Sequence, residues 1–308
     1  MTSLPTRLAL LALLAGSALT GHVRAQAAPA DYQRELETWR AGRLERLQKP
    51  DGWLTLIGLH YLQEGENAIG RADSNQVVFA AGPAKLGTAR VGADRAVVFT
   101  PAPGVEAKAN GQAIPGSLPL KLASGREPAT LVSVGTVSFF LLERGGRLAL
   151  RVRDSESERR TKFPGLDHFP VDPGWRIEAR WKPFQPPREV PITNIANQTT
   201  IEKIRGAAVF ERDGKTIELL PMQEGPNEPL FFVISDATSG VETYSAARFL
   251  YADPPKACSD VVVLDFNKAY NPPCAFTPFA TCPLPPKENQ LAIAIRAGEK
   301  KFAGEGGH

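Results

Sequence analysis

Asp265, Asn267, Tyr270 and Asn271 follow the apolar run Val261-Val262-Val263-Leu264. Carboxylate, amide and phenol groups at the exit of a buried strand are what a small-ligand site uses to orient its occupant. Glu242 and Arg248, from the neighbouring expected strand, add one charge of each sign. On the ligand reading these six residues face a common pocket. On the competing reading, Asp265 and Asn267 only tie down a turn by bonding nearby backbone groups.

Catalytic groups are scarce. His60, His168 and His308 are the histidines beyond residue 27, and the chain holds no Gly-x-Ser-x-Gly elbow. His168 follows Asp167 in a loop rich in Gly and Pro, which makes it the acid–base candidate. His60 alternates with Leu56, Gly58 and Leu62 and reads as a structural residue of a strand face. Cys274 beside His168 would supply a thiolate nucleophile. Metal binding finds no His-x-His, no Cys-x-x-Cys and no carboxylate cluster at ligand spacing. No phosphate-cradling loop or dinucleotide fingerprint is present, so no cofactor is expected.

The elements that must position these groups are mostly β. Asp31 to Gln48 reads as one helix, with Asp31 as N-cap and Pro50-Asp51-Gly52 as its stop. Tyr32, Leu36, Trp39, Leu44 and Leu47 form a partial apolar stripe, and Arg34, Arg40, Arg43 and Arg46 are expected to face water. Short strands are expected at 53–61, 67–70, 76–80, 85–91, 96–100, 106–109, 129–134, 137–143 and 148–153, in a sandwich over residues 51–155. Asn110-Gly111 and Gly145-Gly146 suit tight hairpins. Residues 156–187 read as a connector pinned by Phe163, Leu166, Phe169 and Trp175. A second β domain over 188–305 has expected strands at 190–195, 207–211, 216–221, 230–235, 243–251, 261–265 and 291–296, with an Asp213-Gly214 hairpin. The proline-rich loop 265–286 can be neither a regular helix nor a central strand, and is expected to rim the pocket. The fold class is thus mostly β: two antiparallel sandwich-like or barrel-like domains behind an N-terminal helix, here residues 31–49.

The first 27 residues read as a secretory signal: Arg7, the apolar run from Leu8 to Leu14, and the small-x-small site Ala25-Gln26-Ala27. The expected location is therefore periplasmic or secreted, with no transmembrane anchor after cleavage. Of 36 Lys and Arg, two lie in the signal (Arg7 and Arg24), which leaves 34 against 33 Asp and Glu, a formal +1. With no basic stripe, nucleic acid is not an expected partner. Export favours a disulfide. Cys274 and Cys282 are the natural pair, with Cys258 left over, although pairings of Cys258 with either stay open.

Two resemblances add to this reading. Gly70-Arg71, Ser74-Asn75 and Asn110-Gly111 resemble the turns of the forkhead-associated sandwich, which would give Arg71 a phosphate-contacting role. Leu86-Gly87-Thr88-Ala89-Arg90 does not supply that family's Ser-x-x-His segment. Separately, Asp51 to Leu62, Leu150-Arg151-Val152-Arg153-Asp154, Glu242-Thr243-Tyr244, Asp265 to Pro286 and Ala297-Gly298-Glu299-Lys300 resemble the bacterial family called domain of unknown function 1684. That resemblance implies a recurring design and no reaction. The expected function is an exported protein that binds a small molecule, glycan or peptide. The alternative is a hydrolase-type enzyme that uses His168 with Asp265, Glu242 or Cys274. A third reading is phosphothreonine binding through Arg71.

Overall fold

The computed structural model describes residues 28–124 and 127–304. The expected export signal and His308 lie outside the described residues. Helix α1 (Ala30–Leu47) starts at Pro29, whose fixed φ pre-sets the entry, and no side chain caps it. The expected cap at Asp31 is corrected: Asp31 sits inside the first turn, paired with Arg34, where its charge meets the helix dipole. The inward stripe of α1 is Leu36, Arg43 and Leu47. Arg43 is therefore buried, against the expectation that it faces water.

The first β domain contains β1 (Leu56–Tyr61), β2 (Gly65–Gly70), β3 (Val77–Val78), β4 (Gly87–Val91), β5 (Val97–Pro101), β6 (Lys108–Ala109), β7 (Gln112–Ala113), β8 (Leu118–Leu120), β9 (Leu131–Val134), β10 (Val137–Arg144) and β11 (Arg147–Asp154). They form one sheet in the order β1-β11-β10-β9-β6-β7 and another in the order β3-β2-β4-β5-β8. Alternation sets the faces: Val137, Phe139 and Leu141 of β10 and Leu148, Leu150 and Val152 of β11 point into the core. Phe139 meets Phe79 and Phe99 edge-on at 5.6 and 5.3 Å, each ring contributing about 1.5–3 kcal/mol by burial. The outer face of β11 carries Arg147, Arg151 and Arg153. Asn110-Gly111 joins β6 to β7 with both φ positive, as a tight hairpin turn requires.

The connector begins with α2 (Glu158–Thr161) and ends at a 3-10 turn, Pro173–Trp175. The second domain begins sooner than expected, because β12 (Arg176–Thr193) runs straight through Pro183, Pro186, Pro187 and Pro191. Its pairing with β13 (Thr199–Arg212) slips between Pro183 and Arg188, so Pro186 and Pro187 fall where the ladder asks for no donor. β14 (Lys215–Leu219), β15 (Leu230–Ile234), β16 (Arg248–Ala252) and β17 (Val261–Asp265) follow. A sheet in the order β14-β13-β12-β17 faces the β15-β16 ribbon over Leu219, Phe232, Leu250, Leu264 and Phe266.

The strand expected at 291–296 is absent. The segment is held piecemeal instead: Leu291 N–H donates to Ser235 O and Ile293 O accepts from Ala237 N–H, while Arg248 donates to the carbonyls of Ile295 and Ala297 and Ile295 N–H donates to Asp236. The loop 265–286 is buried more deeply than a rim would be. Cys274, Phe276, Ala280 and Cys282 join Leu47, Leu54 and Phe249 in a separate core that fastens α1 to both domains.

Candidate functional site

The sequence-selected residues divide between two settings. Arg248 is 1% exposed and donates to Asp236 Oδ2 at 2.7 Å. Burial pushes its pKa down, and its Nε has no partner. Asp265 Oδ1 accepts from Tyr32 Oη at 2.7 Å and from the Asn267 backbone N–H. Asn267 Nδ2 donates to Tyr32 Oη and to Asp172 O. This knot clamps the start of α1 onto the end of β17, and burial together with Asp265 raises the Tyr32 pKa. Glu242 lies on the surface in a two-pronged pair with Arg296. None of these four lines the cavities described below.

Tyr270 and Asn271 belong elsewhere. Tyr270 and Pro273 border a cavity of ≈ 760 Å³ framed by α1, the turn that follows it, β11 and β16. Trp39, Trp53, Phe249, Tyr251 and Tyr270 supply its rings. Tyr251 stacks on Tyr270 at 6.5 Å and 14°, and Trp39 tilts against Tyr270 at 6.3 Å. The cations are Arg43, Arg46, Lys49 and Arg153, with Asp51 as the acid among the lining residues.

Arg43 is held rather than free. Its Nε donates to Glu299 Oε1 at 3.0 Å and its Nη2 to Asn271 O at 2.9 Å, while the guanidinium lies 4.6 Å from the centre of Tyr270. Glu299, fully buried, also accepts from Asn271 N–H at 2.8 Å. Asn271 is thus a support behind the wall. Gly298 makes the approach of this segment feasible: its φ is +78°, and a Cβ there would sit 2.3 Å from Ala269 O.

Arg46, Lys49 and Arg153 form no ion pair among the described residues. Arg153 lies over Phe140 at 5.2 Å and Arg151 over Trp53 at 5.8 Å, and the Nε of each is buried without a partner. Burial lowers the pKa of both, Arg151 to about 10 with a further push from Arg144 and Arg153. Arg151 and Arg153 are like charges side by side and half-buried, and the carboxylate that acts on Arg153, Asp51, forms no ion pair with it, so a further negative charge is favoured there.

His168 lies against Arg40, and its backbone pairs with Glu299. Burial, then Arg40, push its pKa down to about 4. It hydrogen-bonds none of Asp265, Glu242 or Cys274. His60 packs on Phe79 at 5.3 Å with its Nε2 unpaired, and burial lowers its pKa. Arg71, exposed, spends its Nε on Gly82 O.

Cys258, Cys274 and Cys282 are all unbridged, so the expected disulfide is not formed in this structure. Cys274 and Cys282 nonetheless share one buried site, where Cys274 N–H donates to Cys282 Sγ at 3.2 Å. Their contact lowers the Cys274 pKa and raises that of Cys282, so the latter keeps its proton. No group of His, Cys, Asp and Glu suited to a metal occurs among the described residues.

Sequence reasoning missed Trp39, Arg43, Arg46, Lys49, Trp53, Tyr251 and Arg153. The available signal was Arg43 itself, which falls seven residues after Leu36 and four before Leu47 and therefore on the apolar face of α1.

Residues 161–300 match the family model described as Protein of unknown function (DUF1684). A similar solved structure is the solution NMR structure of an uncharacterized protein of Haloarcula marismortui. It is 30% identical, with the match covering 48% of this chain and 82% of that one at a TM-score of 0.40. No curated protein matches the chain. The forkhead-associated resemblance of the first domain is not confirmed by these comparisons, and the matched residues 161–300 exclude α1, Trp53 and Arg153. On that family match, residues 161–300 belong to the DUF1684 family.

Proposed function

We propose that this protein binds a small organic anion, one with a flat or ring-bearing body, in the cavity between α1, β11 and β16. The observation that carries this reading is the set of three unpaired cations, Arg46, Lys49 and Arg153, beside the ring wall of Trp39, Tyr251 and Tyr270. Stacking rings select a flat body, and cations that outnumber the one lining carboxylate, Asp51, select a negative charge. The cavity has the size of ordinary ligand sites. The reading fits the exported location expected from residues 1–27, where Cys274 and Cys282 would also be free to oxidise to one disulfide. The hydrolase alternative draws no comparable observation, since His168 touches none of its expected partners.

Trp39 and Trp53 line the cavity, so its occupancy is readable by intrinsic fluorescence. Titration with benzoate and phenyl phosphate should quench or shift the emission saturably. Arg153→Gln should weaken that response about tenfold or more, the worth of a hydrogen bond to a charged group. No saturable response to either anion, or one indifferent to Arg153→Gln, would sink the reading.

A further inference from the structure

The cavity has a neighbour of opposite sign. A second cavity of ≈ 400 Å³ is bordered by Glu202, Glu224, Glu228, Met222, Phe231 and Tyr251. Tyr251 borders both spaces, half exposed, as the ridge between them. Its ring stacks on both sides, on Tyr270 at 6.5 Å and on Phe231 at 4.8 Å, within about 22° of parallel in each case. The result is a continuous aromatic floor from the basic cavity to the acidic one. The three glutamates form no ion pair among the described residues, and Glu202 accepts only a 3.4 Å contact from Thr200. Glu224 is near enough to Tyr251 for its charge to add to the effect of burial in raising the phenol pKa.

We infer that the ligand is a short peptide with free termini, its carboxylate in the Arg46–Lys49–Arg153 half and its ammonium in the Glu202–Glu224–Glu228 half, lying across Tyr270, Tyr251 and Phe231. This rests on the anion-binding reading above and extends it to the other end of the molecule. Length separates a peptide from a single amino acid. The floor takes two ring-to-ring steps, 6.5 and 4.8 Å, before it reaches the acidic side. Extended chain advances about 3.3–3.6 Å per residue, so roughly three residues place their two terminal charges over the two halves. A free amino acid carries both charges on one carbon and cannot engage both. Charge complementarity at each end fixes direction, while the row of rings between them accepts apolar side chains by burial of their surface.

The test uses the full chain without its first 27 residues and three probes: the tripeptide Ala-Phe-Ala with free termini, its N-acetyl form and its C-terminal amide. Calorimetry should rank the free peptide first. Acetylation should cost about fivefold or more, and amidation at least as much. Glu224→Gln should weaken the free peptide and leave the acetylated one unchanged, while Arg153→Gln should weaken both. If the free and acetylated peptides bind equally and Glu224→Gln alters neither, the acidic half is not part of the site. The inference then fails while anion binding stands. If benzoate binds and no peptide does, the inference fails in the same way. If neither benzoate nor peptide binds, both readings fail together.

Discussion

Glu299→Gln tests whether the buried pair beneath the cavity supports its wall. Glu299 is fully buried and accepts from Arg43 Nε on one oxygen and from Asn271 N–H on the other. Glutamine keeps the shape, but one of its two terminal atoms becomes a donor, so one of those N–H groups meets another donor. Arg43, 8% exposed, also keeps its charge without a counter-charge. Breaking a buried pair in this way costs about 3–5 kcal/mol. Arg43 retains its bond to Asn271 O and its place over Tyr270, which puts the loss near the lower end, about 3 kcal/mol. In a chain of this size that lowers Tm by about 6–12 °C. Thermal and urea unfolding of Glu299→Gln, Arg43→Met and the double variant give the coupling directly. The double variant should lose clearly less than the two single losses added together, because it strands no charge. A loss under about 1 kcal/mol for Glu299→Gln, or strict additivity in the cycle, would refute the view that this pair holds the wall.

Gly298→Ala should destabilise far more than Gly111→Ala: both have positive φ, but only at Gly298 would a Cβ meet backbone, 2.3 Å from Ala269 O. Gly111→Ala should cost about 1 kcal/mol, and equal losses by urea titration would contradict the close approach. His168 has a folded pKa of about 4, below its unfolded value of roughly 6.5. The unfolded chain therefore takes up a proton that the folded chain refuses, and stability should fall as pH drops from about 6.5 towards 4. His168→Gln should flatten that part of the stability–pH curve, and an unchanged slope would count against burial as the cause. Chain recovered from an oxidising compartment and alkylated without reductant should take label at Cys258 alone, with Cys274 and Cys282 joined. Label at all three would place the pair in its thiol form.

What the sequence made legible is what depends on neighbours along the chain. Alternation marked the core faces of β10 and β11, and Asn110-Gly111, Gly145-Gly146 and Asp213-Gly214 marked three hairpins whose residues do take positive φ. Where local rules failed, a distant partner had overridden them. Residues 183–187 read as the end of a connector, yet they belong to β12, and β13 accommodates their prolines by a slip in register. Residues 291–296 alternate like a strand, yet at Ile295 the Arg248 guanidinium and the Asp236 carboxylate take the groups a ladder would use. The site failed for the same reason. Asp265, Asn267, Glu242 and Arg248 are polar residues on adjacent apolar runs, and sequence cannot say that Tyr32, 233 residues from Asp265, closes the first two into a clamp. The cavity draws Trp39 and Arg46 from α1, Trp53 from the turn, Arg153 from one sheet and Tyr251 from another. Each looks ordinary in its own element, and only packing gathers four cations around the one lining carboxylate, Asp51. Arg153 shows the difference: on a lone strand it would be a solvated surface residue, but here its guanidinium lies over Phe140 and its Nε is buried without a partner. A half-buried guanidinium with an unpaired Nε is favoured by a nearby negative charge, which is why Arg153→Gln is the variant on which the proposed anion site depends.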